Sequence, residues 1–276
     1  MVEKKNPAVR ILMYVLLICL TVITLIPLLW MLSASLKLDS EVFSIPIRWI
    51  PENPQWSNYV KIWSKIPLST FTFNTIKLTV IITIIQVLTS SFAAYGFAKC
   101  TFKGRDILFL CYVATMAIPW QVYMLPQYSM MNQMHLVDTH IGYILMQSFS
   151  AFGVFLMRQF FISIPNELLE AARIDGMTEY GIFAKIALPL SMSSISTLVI
   201  FTFVTIWNDY MGPMIYFNTE TKKTLQLGIK MFIGQYATEY GLVMAASVLS
   251  LIPVLVIFLL GQKQFVQGIA SSGIKG

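Results

Sequence analysis

The chain has 276 residues, of which 57% are apolar and only 12% charged, with a formal net charge of +6. Soluble domains hold roughly 45–50% apolar and about 25% charged residues, so this composition excludes an ordinary water-soluble fold. The basic residues are spread along the chain, which argues against nucleic acid as a partner and suits the short cytoplasmic loops of a membrane protein.

At the start, Lys4, Lys5 and Arg10 precede an apolar run, and Ser33-Ala34-Ser35 resembles a signal cleavage site. The run Ile11–Leu32 is 22 uncharged residues. A secretory core is about 7–15, so the run reads as a retained first span. Crossing a bilayer takes about 20 apolar residues as a helix. Five more stretches meet or approach this: Phe71–Ala98, Ile107–Tyr128, Ile141–Met157, Leu190–Tyr210 and Leu242–Leu260. Lys77, near the start of the second, can snorkel to the headgroups. Cys19, Cys100 and Cys111 form no CxxC pair. They are read as small packing residues, with no disulfide framework and no metal.

The reading is an all-α membrane protein with six transmembrane helices and both termini cytoplasmic. The inner segments 1–10, 99–106, 158–189 and 261–276 then carry 11 Lys and Arg, and the outer segments 33–70, 129–140 and 211–241 carry 7 over more residues. That asymmetry agrees with the positive-inside rule. The organisation is an N-tail over 1–10, a first helix and outer loop over 11–70, a five-helix core over 71–260 and a C-tail over 261–276. Loop 33–70 places Pro46, Pro51, Pro54 and Pro67 among Trp49, Trp56 and Trp63, the composition of a cap on the outer membrane face.

The 158–189 segment is long, mixed in charge and helical in pattern. Pro165 is tolerated in a first turn, and Glu167 complements the positive end of a helix dipole. Leu168, Ala171, Ala172 and Asp175 follow the spacing of one helical face, and Gly176 fits a left-handed cap. A second short helix is predicted near Thr178, with Ile182, Phe183 and Ile186 as apolar contacts and Pro189 turning the chain into the fifth span. This is an elbow suited to docking, with alanines that allow close approach.

Glu170-Ala171-Ala172, three residues, Gly176, nine residues, then Ile186-Ala187-Leu188-Pro189 resembles the EAA loop of ATP-binding cassette importer permeases. Nearly the whole chain is similar to that family, in particular to the smaller permease of maltose-type carbohydrate importers. Asn74-Thr75, Ala93-Ala94-Tyr95-Gly96-Phe97-Ala98, Trp207-Asn208-Asp209-Tyr210 and the tail Gln264-Phe265-Val266-Gln267-Gly268 carry the likeness. Asp209 stands where the family more often has Glu. The resemblance implies a type I importer bundle in a bacterial or archaeal cytoplasmic membrane. It further implies that Glu170, Ala171, Ala172, Asp175, Gly176, Ile186 and Pro189 couple to an ATPase, with Gln267 and Gly268 near it. The implied partners are a homologous second permease, two ATP-binding subunits and an extracytoplasmic solute-binding protein. No GxxxxGK[ST] loop occurs, so ATP and Mg are expected on the partner subunits, with no cofactor and no catalytic site on this chain.

Pro119, Pro126 and Pro253 are expected to kink their spans, as hinges or as static bends. Trp120, Gln121 and Tyr123 beside the first are pathway candidates, with packing and lipid-interface roles as the competing reading. Trp207, Asn208, Asp209 and Tyr210 at the end of the fifth span are gate candidates, since an acid there is costly against lipid. His135 and His140 read as surface residues, and the methionines as gap fillers. Loop 212–240, with Lys222, Lys223 and Lys230, is either a binding-protein contact or a solvated basic loop. The expected cargo is a carbohydrate, with a polyol or glycerol phosphate as runner-up. An ion-driven carrier would need mid-membrane acids or histidines, which the spans lack apart from Asp209 near an end. An intramembrane hydrolase would need a nucleophile with a base; serines are present, but no histidine falls within a span and no GxSxG occurs.

Overall fold

A computed structural model describes the backbone of residues 7–234 and 238–273, and side-chain surroundings between 8 and 263 within that range. Its helices run α1 Pro7–Ser35, α2 Asp39–Val42, α3 Asn58–Lys65, α4 Leu68–Lys99, α5 Arg105–Ala114, α6 Trp120–Gln133, α7 His140–Met146 and α8 Ala151–Ser163. They continue as α9 Asn166–Ile174, α10 Glu179–Ile182, α11 Leu188–Leu190, α12 Met192–Trp207, α13 Met211–Tyr216, α14 Leu225–Met231 and α15 Tyr240–Gly273. Among the described residues, α1, α4 and Tyr240–Lys263 are long and apolar enough to cross a membrane. Three bent pairs bring the possible spans to six. The fold is all-α and agrees with the expected six-span bundle.

The structure bends three spans, where the sequence predicts a kink at Pro119, a turn at Pro189 into the fifth span and an unbroken fourth span. The third turns by 101° between Arg105–Ala117 and Trp120–Gln133, because Pro119 lacks the N–H that a continuing helix needs. Pro126 and Pro253 lie inside helices that continue past them. The fourth span bends by 45° between α7 and α8, and the fifth by 78° between Glu179–Leu190 and α12.

Such breaks free backbone groups that lipid cannot satisfy, and a neighbouring helix must supply partners. Helix α4 does so for the fourth span. Its Gln86 Nε2 donates to Gln147 O at 2.6 Å, and Thr89 Oγ1 donates to Ser148 O at 2.9 Å. Thr202 on α12 donates to Gln86 Oε1 at 3.1 Å, so the amide serves both neighbours. Ser150 starts α8 by accepting from Gly153 N at 3.0 Å. Gly153 is glycine because a Cβ there would lie 2.3 Å from Ser90 Oγ.

The chain forms two compact units. One holds the chain up to Leu68 together with Gly228–Ile252. Here Asn58 Nδ2 donates to Ser35 O and Lys37 O at 3.0 and 3.1 Å, capping the end of α1, and Asp39 Oδ1 accepts from Gly241 N at 2.8 Å at the start of α15. Along α1 the apolar side chains from Val9 to Ile26 are almost all exposed. Nothing else described in this unit covers them, and such a surface suits lipid or another polypeptide.

The second unit holds Ser69–Leu227 with the chain from Pro253 on. Its apolar core includes two centres among the described residues. Tyr95, Phe161, Leu169, Ile182, Phe183 and Leu198 gather where α4 meets the 158–189 segment, called the loop end below. Leu78, Ile82, Met131, Tyr143, Ile206 and Tyr216 form the other. Near the latter, His140 is not a loose surface residue. Its Nδ1 lies 2.7 Å from Lys77 Nζ and its Nε2 3.0 Å from Lys222 O, so Lys77 turns to His140 instead of snorkelling. Asp138 gathers Asn218 N at 3.0 Å, Thr219 N at 3.1 Å and Lys222 Nζ at 3.2 Å. Burial raises the Asp138 pKa, but hydrogen bonds from Thr219, Lys222 and Asn218 outweigh it and hold it at about 2.

Candidate functional site

Helix α9 is nine residues long, too short to persist alone, and it is held from both ends and from beneath. Leu169 and Ala172 are buried, packing it onto the loop-end core. Leu168, Ala171 and Asp175 are exposed, as are Glu167 and Glu170. The predicted face is therefore split. Ala172 turns inward, one position round from Ala171, because α9 must bury a stripe to stay folded. What remains outward is a small apolar surface with carboxylates around it.

The C-terminus of α9 closes in a paired motif. Met177 N donates to Ala172 O and Gly176 N to Arg173 O, both at 3.0 Å, which satisfies two orphan carbonyls. Gly176 sits at φ +82°, the left-handed region expected for it. A Cβ at this position would meet nothing within 4 Å. The glycine answers to backbone conformation and not to crowding within the chain.

The predicted second helix follows. Thr178 caps α10 by accepting from Gly181 N at 3.2 Å, Ile182 and Phe183 are buried, and Ile186 is half-buried against the same core. Phe183–Ala187 forms a wide π turn, and Pro189 lies exposed in α11. At the other end of the elbow, Lys99 Nζ donates to Ile164 O at 2.6 Å and Asn166 Oδ1 at 2.8 Å. Arg158 Nε donates to Phe97 O at 3.2 Å and lies 4.0 Å over the Phe109 ring. In the sequence these basic residues count only toward orientation. Their contacts are non-local, and no spacing in the sequence announces them.

Of the gate candidates, Trp207 is buried and stacks on Phe203 at 5.5 Å. Asp209 is half-buried, accepting from Tyr143 Oη at 2.5 Å and from Gly212 N at 3.1 Å. Asn208 is exposed, with Gln226 Nε2 3.4 Å from its Oδ1, and Tyr210 immediately precedes α13. Trp120 donates to Gln127 Oε1 at 2.9 Å and packs on the same core cluster as Tyr143, whereas Gln121 and Tyr123 are exposed. None of these residues lines a cavity of about 320 Å³ that is bounded instead by Gln86, Ser150, Phe152, Phe201, Thr202 and Thr205 with Ile206. Its signal in the sequence was a lone amide, Gln86, deep within an apolar span. Gln267 and Gly268 lie where side chains fall outside the described residues.

Comparison with known proteins converges with this geometry. Residues 86–271 match the family described as binding-protein-dependent transport system inner membrane component. The chain is 31% identical to an arabinooligosaccharide transport system permease of Halalkalibacterium halodurans, covering 100% of both chains. It is 32% identical to an sn-glycerol-3-phosphate transport system permease of Yersinia enterocolitica, covering 99% of both. A crystal structure of a bacterial ABC transporter involved in the import of the acidic polysaccharide alginate contains a chain that superposes with a TM-score of 0.82 at 26% identity, over 96% of this chain and 99% of that one. The elbow between the fourth and fifth spans, the broken-span bundle and these matches together make the chain a member of the inner membrane components of binding-protein-dependent transport systems.

Proposed function

We propose that this chain is one permease subunit of an ATP-binding cassette importer for a carbohydrate, working beside a homologous permease. The observation that carries the reading is the free face of α9. It presents Glu170, Ala171, Asp175 and Gly176 outward from a rigidly held elbow, at the positions the family pattern marks for contact with an ATPase. Two ATP-binding subunits would hold ATP and Mg, and this chain would bind no cofactor of its own. A solute-binding protein would deliver the cargo from outside.

The reading keeps 158–189, both termini and the tail around Gln267 and Gly268 in the cytoplasm, with 11–70 as first helix and outer loop and 71–260 as the transporting core. Trp207 to Tyr210 would brace the outer gate. The cavity beside Gln86 has hydroxyls, an amide and two aromatic rings, and no cation among its lining residues. That lining suits a neutral, hydroxyl-rich solute better than a phosphate dianion, whose burial without a cation is costly. The glycerol phosphate relative keeps a second reading open to test.

The test is reconstitution of the complete importer in proteoliposomes with its binding protein. A neutral oligosaccharide on that protein should raise ATP hydrolysis and enter the vesicle. Stimulation by sn-glycerol-3-phosphate with none by oligosaccharides would overturn the carbohydrate assignment.

A further inference from the structure

Glu179 opens α10 and lies outside the family pattern, yet both of its carboxylate oxygens are engaged by other elements. Oε1 accepts from Arg173 Nε at 2.7 Å, in the last turn of α9. Oε2 accepts from Tyr95 Oη at 3.0 Å, near the loop end of α4. The Tyr95 ring is only 5% exposed and stands edge-on to Phe161 at 5.8 Å and to Phe183 at 5.3 Å. A ring wedged in this way cannot swing to follow a moving carboxylate, so the bond constrains Glu179 as well.

Helix α9 is thereby tied to α4 at both ends. Lys99 holds its first residue, Asn166, and Glu179 holds Arg173 in its last turn. Apolar packing through Leu169 and Ala172 would by itself permit sliding, whereas charge-assisted bonds fix direction as well as distance. Only a carboxylate offers two acceptor oxygens to two donors at once. Glutamine would turn an N–H₂ toward either the guanidinium or the phenol.

We infer that Glu179 is a positioning residue that ties the C-terminal end of α9 to α4, so that displacement of α9 is delivered to the second span. This rests on the proposed docking of α9 against the ATP-binding subunits. It goes beyond that docking in naming the helix that receives the motion and the side chain that transfers it.

Hydrogen–deuterium exchange on the whole importer, with and without trapping by Mg-ATP and vanadate, tests both layers separately. In the wild-type complex, trapping should alter exchange at residues 175–177 and, together with them, at the last two turns of α4. E179Q should keep the first response and weaken the second, because Lys99 still holds Asn166 to α4. Y95F, which removes one arm and leaves the ring packing, should do the same. Combining R173E with E179R exchanges donor and acceptor, lets the phenol accept where it had donated, and should restore the α4 response. Wild-type transmission in both E179Q and Y95F would overturn the inference, as would failure of the exchanged pair to rescue. An unchanged 175–177 in the trapped wild-type complex would instead bring down the docking reading, and this inference with it.

Discussion

Replacing Gly176 separates two reasons for a glycine in a docking elbow. At φ +82° an L-residue other than glycine is strained by roughly 1–2 kcal/mol, and a β-branched one by more. Because a Cβ here meets nothing within 4 Å, no packing penalty is added inside the chain. Gly176→Ala should therefore cost about 1 kcal/mol, and Gly176→Val about 2 kcal/mol or more, of the capped conformation. At about 1.4 kcal/mol per tenfold, valine lowers the population of the closed cap by more than an order of magnitude. Asparagine tolerates the left-handed region, so Gly176→Asn should stay near wild type. The measurement is solute accumulated per ATP hydrolysed in proteoliposomes, which should fall in the order glycine, asparagine, alanine, valine. Asparagine as damaging as valine would refute the backbone argument and place the requirement in direct contact with the ATPase. Wild-type coupling in the valine variant would refute both.

Gln86→Leu leaves the Gln147 carbonyl without its donor at a break in the fourth span, and thermal unfolding in detergent should show a loss of about 1–3 kcal/mol. Gly153→Ala brings a methyl within 2.3 Å of Ser90 Oγ and should destabilise by about 1–3 kcal/mol, with part of the loss recovered when Ser90→Ala is added. The depressed Asp138 carboxyl gives stability that is fully present above the ordinary aspartate range, near pH 4, and is lost as pH falls toward about 2. Exchange at the Asn218 and Thr219 amides should accelerate over that interval in the wild-type chain, and Asp138→Asn should flatten the dependence.

What the sequence made legible was local. Pro165, Glu167 and Gly176 fall within a dozen residues, and their conformational demands reach no further than one helix and its cap. The α9 elbow was readable for that reason. Apolar runs report depth in a membrane but not continuity, so the break between α7 and α8 goes unpredicted, whereas Pro119 and Pro189 mark the breaks before Trp120 and Met192. The break between α7 and α8 is made tolerable by Gln86 and Thr89, some sixty residues upstream, and no pattern near the break points to them. The inward turn of Ala172 was missed for a related reason: only the packed neighbours decide which of two adjacent alanines faces the core.

The two remote features share one helix. Tyr95 meets Glu179 at the loop end of α4, and Gln86 lines the cavity nine residues earlier on the same unbroken helix, about 13 Å away at ~1.5 Å per residue. Gln86 also bonds the break between α7 and α8 through Gln147, and α12 through Thr202, so α4 cannot shift axially without straining both. On the inferred clamp, a push on α9 therefore arrives at the point where the fourth and fifth spans are held to the second. A continuous fourth span would keep its backbone bonds internal and have no need of Gln86. Because it is broken, its integrity depends on the position of α4, and the bend becomes the element able to respond when α4 moves.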